Sequence, residues 1–595
     1  MASRVSGSRG LFVVLAAVLL LRFPFLNQAI QGDDHTYISE AEHALIDPWH
    51  PAHTTYVFQG VPVDLRGHPH PPLNAWVLAA LLAVFGDVKE IPFHAAYIVF
   101  SMIAAAAMWS LAQRFAPRPL WATLLFLAVP AFVVNGNSLE ADLPFLAFWM
   151  AAIALFCAGR LWLSVVAMGL AALAAYQAVF LTPILGVYVW LYHRTDRKRW
   201  AAIVTPVFVI AAWQVFERLS TGALPAAVLT GYFATYGLQT LTVKVRNAAA
   251  LAIHFCWIVF PLLLPGALLL AWRKRREPET QFLLAWIAIF FAGAVAVFFA
   301  GSARYLLPIA APVTILASRL SAPWRGAGFV LQMALSLGMA VVNYQHWDAC
   351  RRFAEQLRGP SAGHRVWVDG ELGMRQYLEA DHGLPLQKTQ HLRPGDIIVS
   401  SELTHSVAPT TPVSTIARRE IRPAIPVRLI GLESHSGYSD VSRGLWPVGF
   451  SDGPIDRLRA DLVTERRPTL EYVSMNAPQA ADHIVSGIYQ LEAGGYRWMA
   501  ASGLLVLKAP TAPARVTVKF TIPQAARARQ VTLLLDGRVV ASERYPGPGN
   551  YTLVSDPLTV TSASANIEIR ADQTFSAPPD TRELGIVLTG AGFVH

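Results

Sequence analysis

Two patterns of apolar and polar positions divide the chain near residue 344. Before it, long apolar runs alternate with short polar loops; after it, apolar positions come in brief stretches broken by Gly, Pro, Asp and Ser. Runs of the first kind predict helices that are apolar all round, which suits a bilayer. They fall near residues 11–30, 92–112, 120–134, 143–159, 161–176, 178–192, 200–219, 248–271, 280–300, 305–319 and 327–343. That predicts about eleven spans, on the rule that roughly 20 apolar residues cross a membrane. The first run follows Arg4 and Arg9 but leads into Asn27-Gln28 without a small-x-small cleavage site, so it reads as a retained span. Residues 74–85 are too short to cross and follow Pro69, Pro71 and Pro72, which predicts an interfacial or re-entrant helix.

Beyond residue 344 the pattern changes twice. Val366-Trp367-Val368 and Asp396-Ile397-Ile398-Val399 read as strands, with a helical stretch at 372–378 between them, so residues 345–508 predict a small α/β module outside the membrane. From about 510, strands are predicted at 516–520, 531–535, 539–543, 551–554, 565–569 and 584–588. Asp536-Gly537 marks a two-residue hairpin turn. Residues 509–595 therefore predict a β-sandwich, a module type that often binds glycans. The expected fold is an α-helical polytopic membrane domain over residues 1–344, followed by these two soluble modules.

Composition sharpens this picture. Hydrophobic residues make up 54% of the 595 and charged residues only 15%, against about 25% in soluble domains. The net charge of +9 does not indicate nucleic acid, because the cations sit in short loops between apolar runs. Arg114 and Arg118, Arg160, the group from Arg194 to Arg199, the group from Arg273 to Arg276, and Arg319 with Arg325 all fall on one side if residues 74–85 do not cross. By the positive-inside bias that side is cytoplasmic. The N-terminus is then inside and the C-terminal region outside a plasma (inner) membrane. Three cysteines, Cys157, Cys256 and Cys350, provide no disulfide framework.

The same parity gathers polar residues on the outer face. The loop over residues 31–73 carries Asp33 and Asp34 with six histidines, among them His68 and His70. Glu140 and Asp142 precede or open one span, Tyr176-Gln177 another, and Arg304-Tyr305 a third. Ionisable groups at the edge of an apolar run are expensive unless they face a polar cavity, so each is a candidate site residue. Each also has a plainer reading. Asp33-Asp34 and Glu140/Asp142 are well placed to cap helices, and Arg304 to snorkel to the interface. The histidines lack the helical spacing of a metal site with a third ligand, so solvated or hydrogen-bonded rings are the simpler reading. No cofactor is required by the sequence, and a divalent cation is left open.

In their order along the chain, Gly32-Asp33-Asp34-His35-Thr36-Tyr37, Gly67-His68-Pro69-His70-Pro71-Pro72-Leu73, Ala141-Asp142-Leu143-Pro144, Tyr176-Gln177-Ala178-Val179 and Arg304-Tyr305-Leu306-Leu307-Pro308 resemble the GT-C membrane glycosyltransferases. The branch is that of the protein O-mannosyltransferases and lipid A aminoarabinose transferases, and the match covers roughly residues 10–320. The resemblance implies a first outer loop whose Asp acts at the reaction centre, beside a Glu that is Asp34 here. Asp33 takes the catalytic position, with Asp34 and Asp142 as further catalytic candidates. It also implies a polyprenyl-phosphate-linked sugar as donor and a lipid, protein or glycan as acceptor, with no nucleic-acid partner.

The chemistry fits those residue types. Displacing polyprenyl phosphate from an anomeric carbon needs a base for the acceptor hydroxyl, which a carboxylate supplies. It needs cations for the departing phosphate, for which Arg304 and His70 are the candidates. Glu140, Gln177 and Tyr305 are candidates for substrate contact. Single displacement by one base inverts the anomeric centre; a retaining route would use Asp34 or Asp142 as nucleophile. Two rivals come from other classes: a lipid-linked sugar transporter or flippase, and a membrane-anchored, non-catalytic glycan receptor. A transporter calls for polar residues near the midplane and internal repeats, whereas here the polar residues gather at one face.

Overall fold

A computed structural model of the chain describes every residue except 1, 239, 405–406, 408–411, 465–467, 493 and 577–581. It forms two compact units. The first comprises Met1–Phe58, Pro62–Ala349 and Arg422–Ile455; the second comprises Gln59–Val61, Cys350–Ile421 and Asp456–His595.

The first unit is helical. Ser8–Phe25, Glu90–Phe115, Arg197–Thr221, Pro278–Val297 and Ala322–Leu357 are long and apolar enough to cross a membrane, and further apolar helices of 10–17 residues accompany them. Leu73–Phe85 is a helix of 13 residues, about 20 Å at 1.5 Å per residue, which falls short of a ~30 Å hydrocarbon core. Several of the expected runs are broken, and two of the breaks fall at prolines. The stretch 120–134 is split into Pro119–Leu127 and Pro130–Asn135, because the residue before a proline is driven out of helical geometry and Val129 has ψ 126°. The stretch 248–271 is split into Leu241–Phe255 and Leu263–Arg273, with Pro261 in the gap. Leu307–Ala317 is buried at every position, as a helix without a polar face must be when other helices surround it.

The second unit is rich in strands. Leu384–Pro385, Val366–Asp369, Ile397–Ser401, Asp456–Val463 and Val413–Ile421 form one sheet in that order. Its first three strands are parallel, its remaining pairs antiparallel, and the helix Met374–Ala380 lies in the connection between the first two in sequence. A nine-stranded sheet follows. Asp536 and Gly537 have φ of 47° and 81°, the left-handed pair that a two-residue hairpin needs. Alternate residues such as Val516, Val518, Phe520 and Ile522 are buried in one core with Ile567, Ile569 and Leu588. The rings of Tyr545 and Tyr551, on the two outermost strands, lie 4.5 Å apart, so the sheet curls back on itself around that core.

The sheet begins well before the boundary expected at 509. Tyr472–Ser474, Ile484–Leu491 and Arg497–Lys508 all belong to it, with Arg497–Lys508 paired to Ser564–Ala571 and to Val587–Val594. Residues 422–455, expected within the α/β module, are counted with the helical unit. Both differences come from pairings between residues far apart in the chain, which local periodicity does not encode.

Candidate active site

The site starts at a glycine. Gly32 has φ +45°, and a Cβ there would stand 2.9 Å from Glu140 Oε1. Only glycine tolerates both the left-handed backbone and this approach. The turn separates the two following carboxylates. Asp33, the N-cap of the helix Asp34–Ala44, makes no side-chain cap hydrogen bond, so the capping role is not what it does. Asp34 is fully buried. Its Oδ1 accepts from the Leu139 N–H at 2.7 Å and its Oδ2 from the Gln31 N–H at 3.1 Å. Burial pushes its carboxyl up to about 8, against those two main-chain donors. Asp34 thus clips the first loop to residues 135–141, and each of its oxygens is engaged by a main-chain donor. As nucleophile or base it is poorly placed.

Arg304 is the hub. Its Nη2 donates to Asp33 Oδ2 at 2.8 Å, its Nη1 donates to Glu140 Oε2, and its Nε stands 3.6 Å from Asp142 Oδ2. The Asp33 N–H also donates to Glu140 Oε1 at 3.3 Å. Three carboxylates surround one guanidinium, and the Nε of that guanidinium has no hydrogen-bond partner among the described residues. Arg304 is therefore not snorkelling, because its charge is held inside by acids. Exposure separates the three carboxylates: the side chain of Asp33 is 47% exposed, those of Glu140 and Asp142 only 4% and 11%. Burial raises the Glu140 carboxyl, with Arg304 the main opposing influence. Asp142 lies in the first turn of Asp142–Cys157, where the helix dipole favours a negative charge.

Two cavities adjoin here. The smaller, of about 160 Å³, is the more polar of the two and is lined by Asp33, Tyr37, His68, His70, Arg304 and Tyr305 among others. The larger, of about 540 Å³, is lined mainly by apolar side chains including Val179, Phe180, Phe233 and Phe298, together with Tyr176 and Gln177. Pro69, His70, Leu229, Phe299 and Tyr305 line both. Gln177 Oε1 is buried in this setting with no hydrogen-bond partner among the described residues.

His70 departs from its expected phosphate role. Its Nδ1 lies 3.1 Å from the Ala174 carbonyl oxygen, which can only accept, so Nδ1 carries the proton. Burial, and then His68, hold the ring down to about 3. A neutral ring donating through Nδ1 leaves Nε2 as a pure acceptor, suited to a hydroxyl and not to a phosphate oxygen.

The structure also ties in residues that were not candidates for the site. The Tyr438 hydroxyl donates to Asn135 Oδ1 at 2.5 Å, and Asn135 Nδ2 lies 3.5 Å from Glu140 Oε2. The Tyr438 carbonyl accepts from the Ala303 N–H at 2.8 Å, next to Arg304. Gln31 Nε2 donates to the Asn137 carbonyl at 2.7 Å. Tyr37 and Glu40 had a readable signal, because positions four and seven after Asp33 share its helix face. Nothing local tied residue 438 to residue 135. Among the described residues no group of three or more His, Cys, Asp or Glu side chains is arranged to hold a metal ion.

Residues 69–216 match the family described as dolichyl-phosphate-mannose-protein mannosyltransferase. This stretch holds His70, Glu140, Asp142 and Gln177, and it bears out the resemblance read from the motifs. No curated protein matches the chain. Among solved structures, ArnT from Cupriavidus metallidurans bound to undecaprenyl phosphate is similar at 14% identity and TM-score 0.44, over 66% of this chain and 93% of that one. The S. cerevisiae Pmt1–Pmt2 complex bound to its sugar donor is similar at 15% identity and TM-score 0.29, over 37% of this chain and 34% of that one. The arabinofuranosyltransferase AftD from Mycobacteria is similar at 12% identity and TM-score 0.37, over 98% of this chain and 59% of that one.

Proposed function

We propose that this chain is an integral membrane glycosyltransferase that moves a sugar from a polyprenyl-phosphate donor to an acceptor hydroxyl on the non-cytoplasmic side. One observation carries the reading: an apolar cavity of about 540 Å³ adjoins a polar one of about 160 Å³, and the polar one holds a half-exposed carboxylate beside a guanidinium. A donor with a long apolar tail and an anionic, hydroxyl-rich head has that same division. The family match over residues 69–216 supports it.

In this reading the isoprenoid end lies in the apolar cavity and the phosphate meets Arg304. A phosphate oxygen replaces Asp33 at Nη2, while Glu140 and Asp142 keep the guanidinium in place. Asp33, so released, takes the proton of the acceptor hydroxyl as its oxygen attacks the anomeric carbon. The bond from that carbon to the phosphate oxygen breaks, and the electron pair leaves with polyprenyl phosphate, stabilised by Arg304. One displacement inverts the anomeric centre. The His70 Nε2 is placed to accept from a sugar or acceptor hydroxyl.

Transfer of radiolabelled sugar from a polyprenyl-phosphate donor to a membrane extract tests this. Asp33→Asn is expected to abolish transfer while membrane expression persists; wild-type activity in that variant would overturn the assignment of the base. Orientation has its own test. Reporter fusions are expected to place the Arg273–Arg276 loop inside and residue 595 outside, and the opposite pattern would move the site to the cytoplasmic face.

A further inference from the structure

The polar cavity contains a second candidate cation that the proposed chemistry has not used. The helix Asp34–Ala44 buries Tyr37, Glu40, Ala41 and Ala44, so Glu40 follows Tyr37 along the buried face. Its side chain is 3% exposed, and among the described residues the basic group at ion-pair distance is His68, whose Nδ1 stands 3.2 Å from Glu40 Oε1. A carboxylate buried this fully is costly without a positive partner.

The ring of His68 is held from two other sides, with the Tyr37 ring at 4.8 Å and the His70 ring at 5.3 Å. It lines the polar cavity with Asp33 and Arg304. The two histidines are therefore set up differently. His70 gives its Nδ1 proton to a neutral carbonyl and keeps an acceptor. His68 turns Nδ1 to a carboxylate. That leaves Nε2 as the nitrogen available to a ligand.

We infer that His68, oriented by Glu40, binds the donor phosphate together with Arg304. The inference rests on the donor reading above. With Nδ1 facing the Glu40 carboxylate, the Nε2–H donates to a phosphate oxygen. Glu40 acts through His68 and is a positioning residue. The arrangement gives the phosphate two cations on different elements, so charge leaving with the polyprenyl phosphate is met from two directions.

The test is binding of undecaprenyl monophosphate, compared with undecaprenol, to the detergent-solubilised full chain. The alcohol shares the tail and lacks the phosphate, so it registers damage to the apolar cavity alone. Wild type is expected to prefer the monophosphate. His68→Gln and Glu40→Gln should each weaken monophosphate binding by roughly tenfold, the usual worth of a charged hydrogen bond, with undecaprenol binding unchanged. The double variant should lose no more than either alone, and His68→Lys should keep most of the affinity. Equal losses on both ligands, or full monophosphate affinity in His68→Gln while Arg304→Ala has lost it, would overturn the inference. If wild type does not distinguish the two ligands and Arg304→Ala changes nothing, the donor reading fails and this inference with it.

Discussion

Two arginines of the helical unit, Arg22 and Arg304, are largely withdrawn from solvent, and their surroundings differ in kind. Arg22 is 2% exposed. It donates to the Ser101 hydroxyl at 3.0 Å, the Val133 carbonyl at 2.8 Å, the Phe132 carbonyl at 2.5 Å and Asn137 Oδ1 at 3.2 Å. Every partner is neutral, and its guanidinium also lies over the Phe132 ring. Arg304 is surrounded by Asp33, Glu140 and Asp142, keeps an unbonded Nε, and borders a cavity. The first is a closed structural joint tying the helix Ala2–Arg22 to residues 132–137. The second is incomplete: it has more negative charge than it needs and one partner that an incoming anion can displace. Burial of a charged residue in an apolar protein therefore does not mark a site. An unbalanced shell open to a cavity does.

That contrast can be broken or sharpened by substitution. The largest effect is expected for Asp33→Asn, with transfer falling about a thousandfold, the scale of lost general-base catalysis, and melting temperature unchanged. A comparable loss of folded protein would mean that Asp33 is structural like the Arg22 partners. Arg304→Lys keeps the charge but loses the fork that spans Asp33 and Glu140, so transfer should fall about a hundredfold; activity within twofold of wild type would show that a point charge suffices.

Arg22→Met should do the reverse. It leaves the Phe132 and Val133 carbonyls without this donor and should cost about 2–3 kcal/mol of stability, measured by thermal unfolding in detergent. Activity per folded molecule should be retained, and a selective loss of turnover would erase the distinction between the two arginines. The smallest effect is expected for Gln177→Leu. Removing an unpartnered buried carbonyl should raise the melting temperature slightly and raise the donor KM a fewfold. An unchanged KM would remove Gln177 from donor contact.

Some of this was legible in the chain and some was not, for physical reasons that can be named. Gly32-Asp33-Asp34 and Arg304-Tyr305 stood out because ionisable residues beside apolar runs are costly, and the structure brings Asp33, Glu140, Asp142 and Arg304 together. The separate fates of Asp33 and Asp34 were not legible. Adjacent residues differ only in where the backbone turns each side chain, and that depends on Gly32 and on the Leu139 N–H far along the chain. His70 was misjudged for a similar reason: its donor capacity is used by the Ala174 carbonyl, a partner that no motif contains. The pairing of the Tyr438 hydroxyl with Asn135 was not legible, because nothing local ties the two residues.

Sequence alone determined the kind of protein this is. Apolar run lengths, loop arginines and the Asp536-Gly537 turn act locally, so they specify membrane helices, a proposed sidedness and a β-rich end without reference to distant residues. Tertiary structure decided which charges meet. Whether a carboxylate caps a loop, balances a guanidinium or faces a cavity depends on partners more than a hundred residues away, as Asp33 with Arg304 and Asp34 with Leu139 show. Electrostatic and hydrogen-bond energies depend on separation in space, and separation along the chain does not predict it.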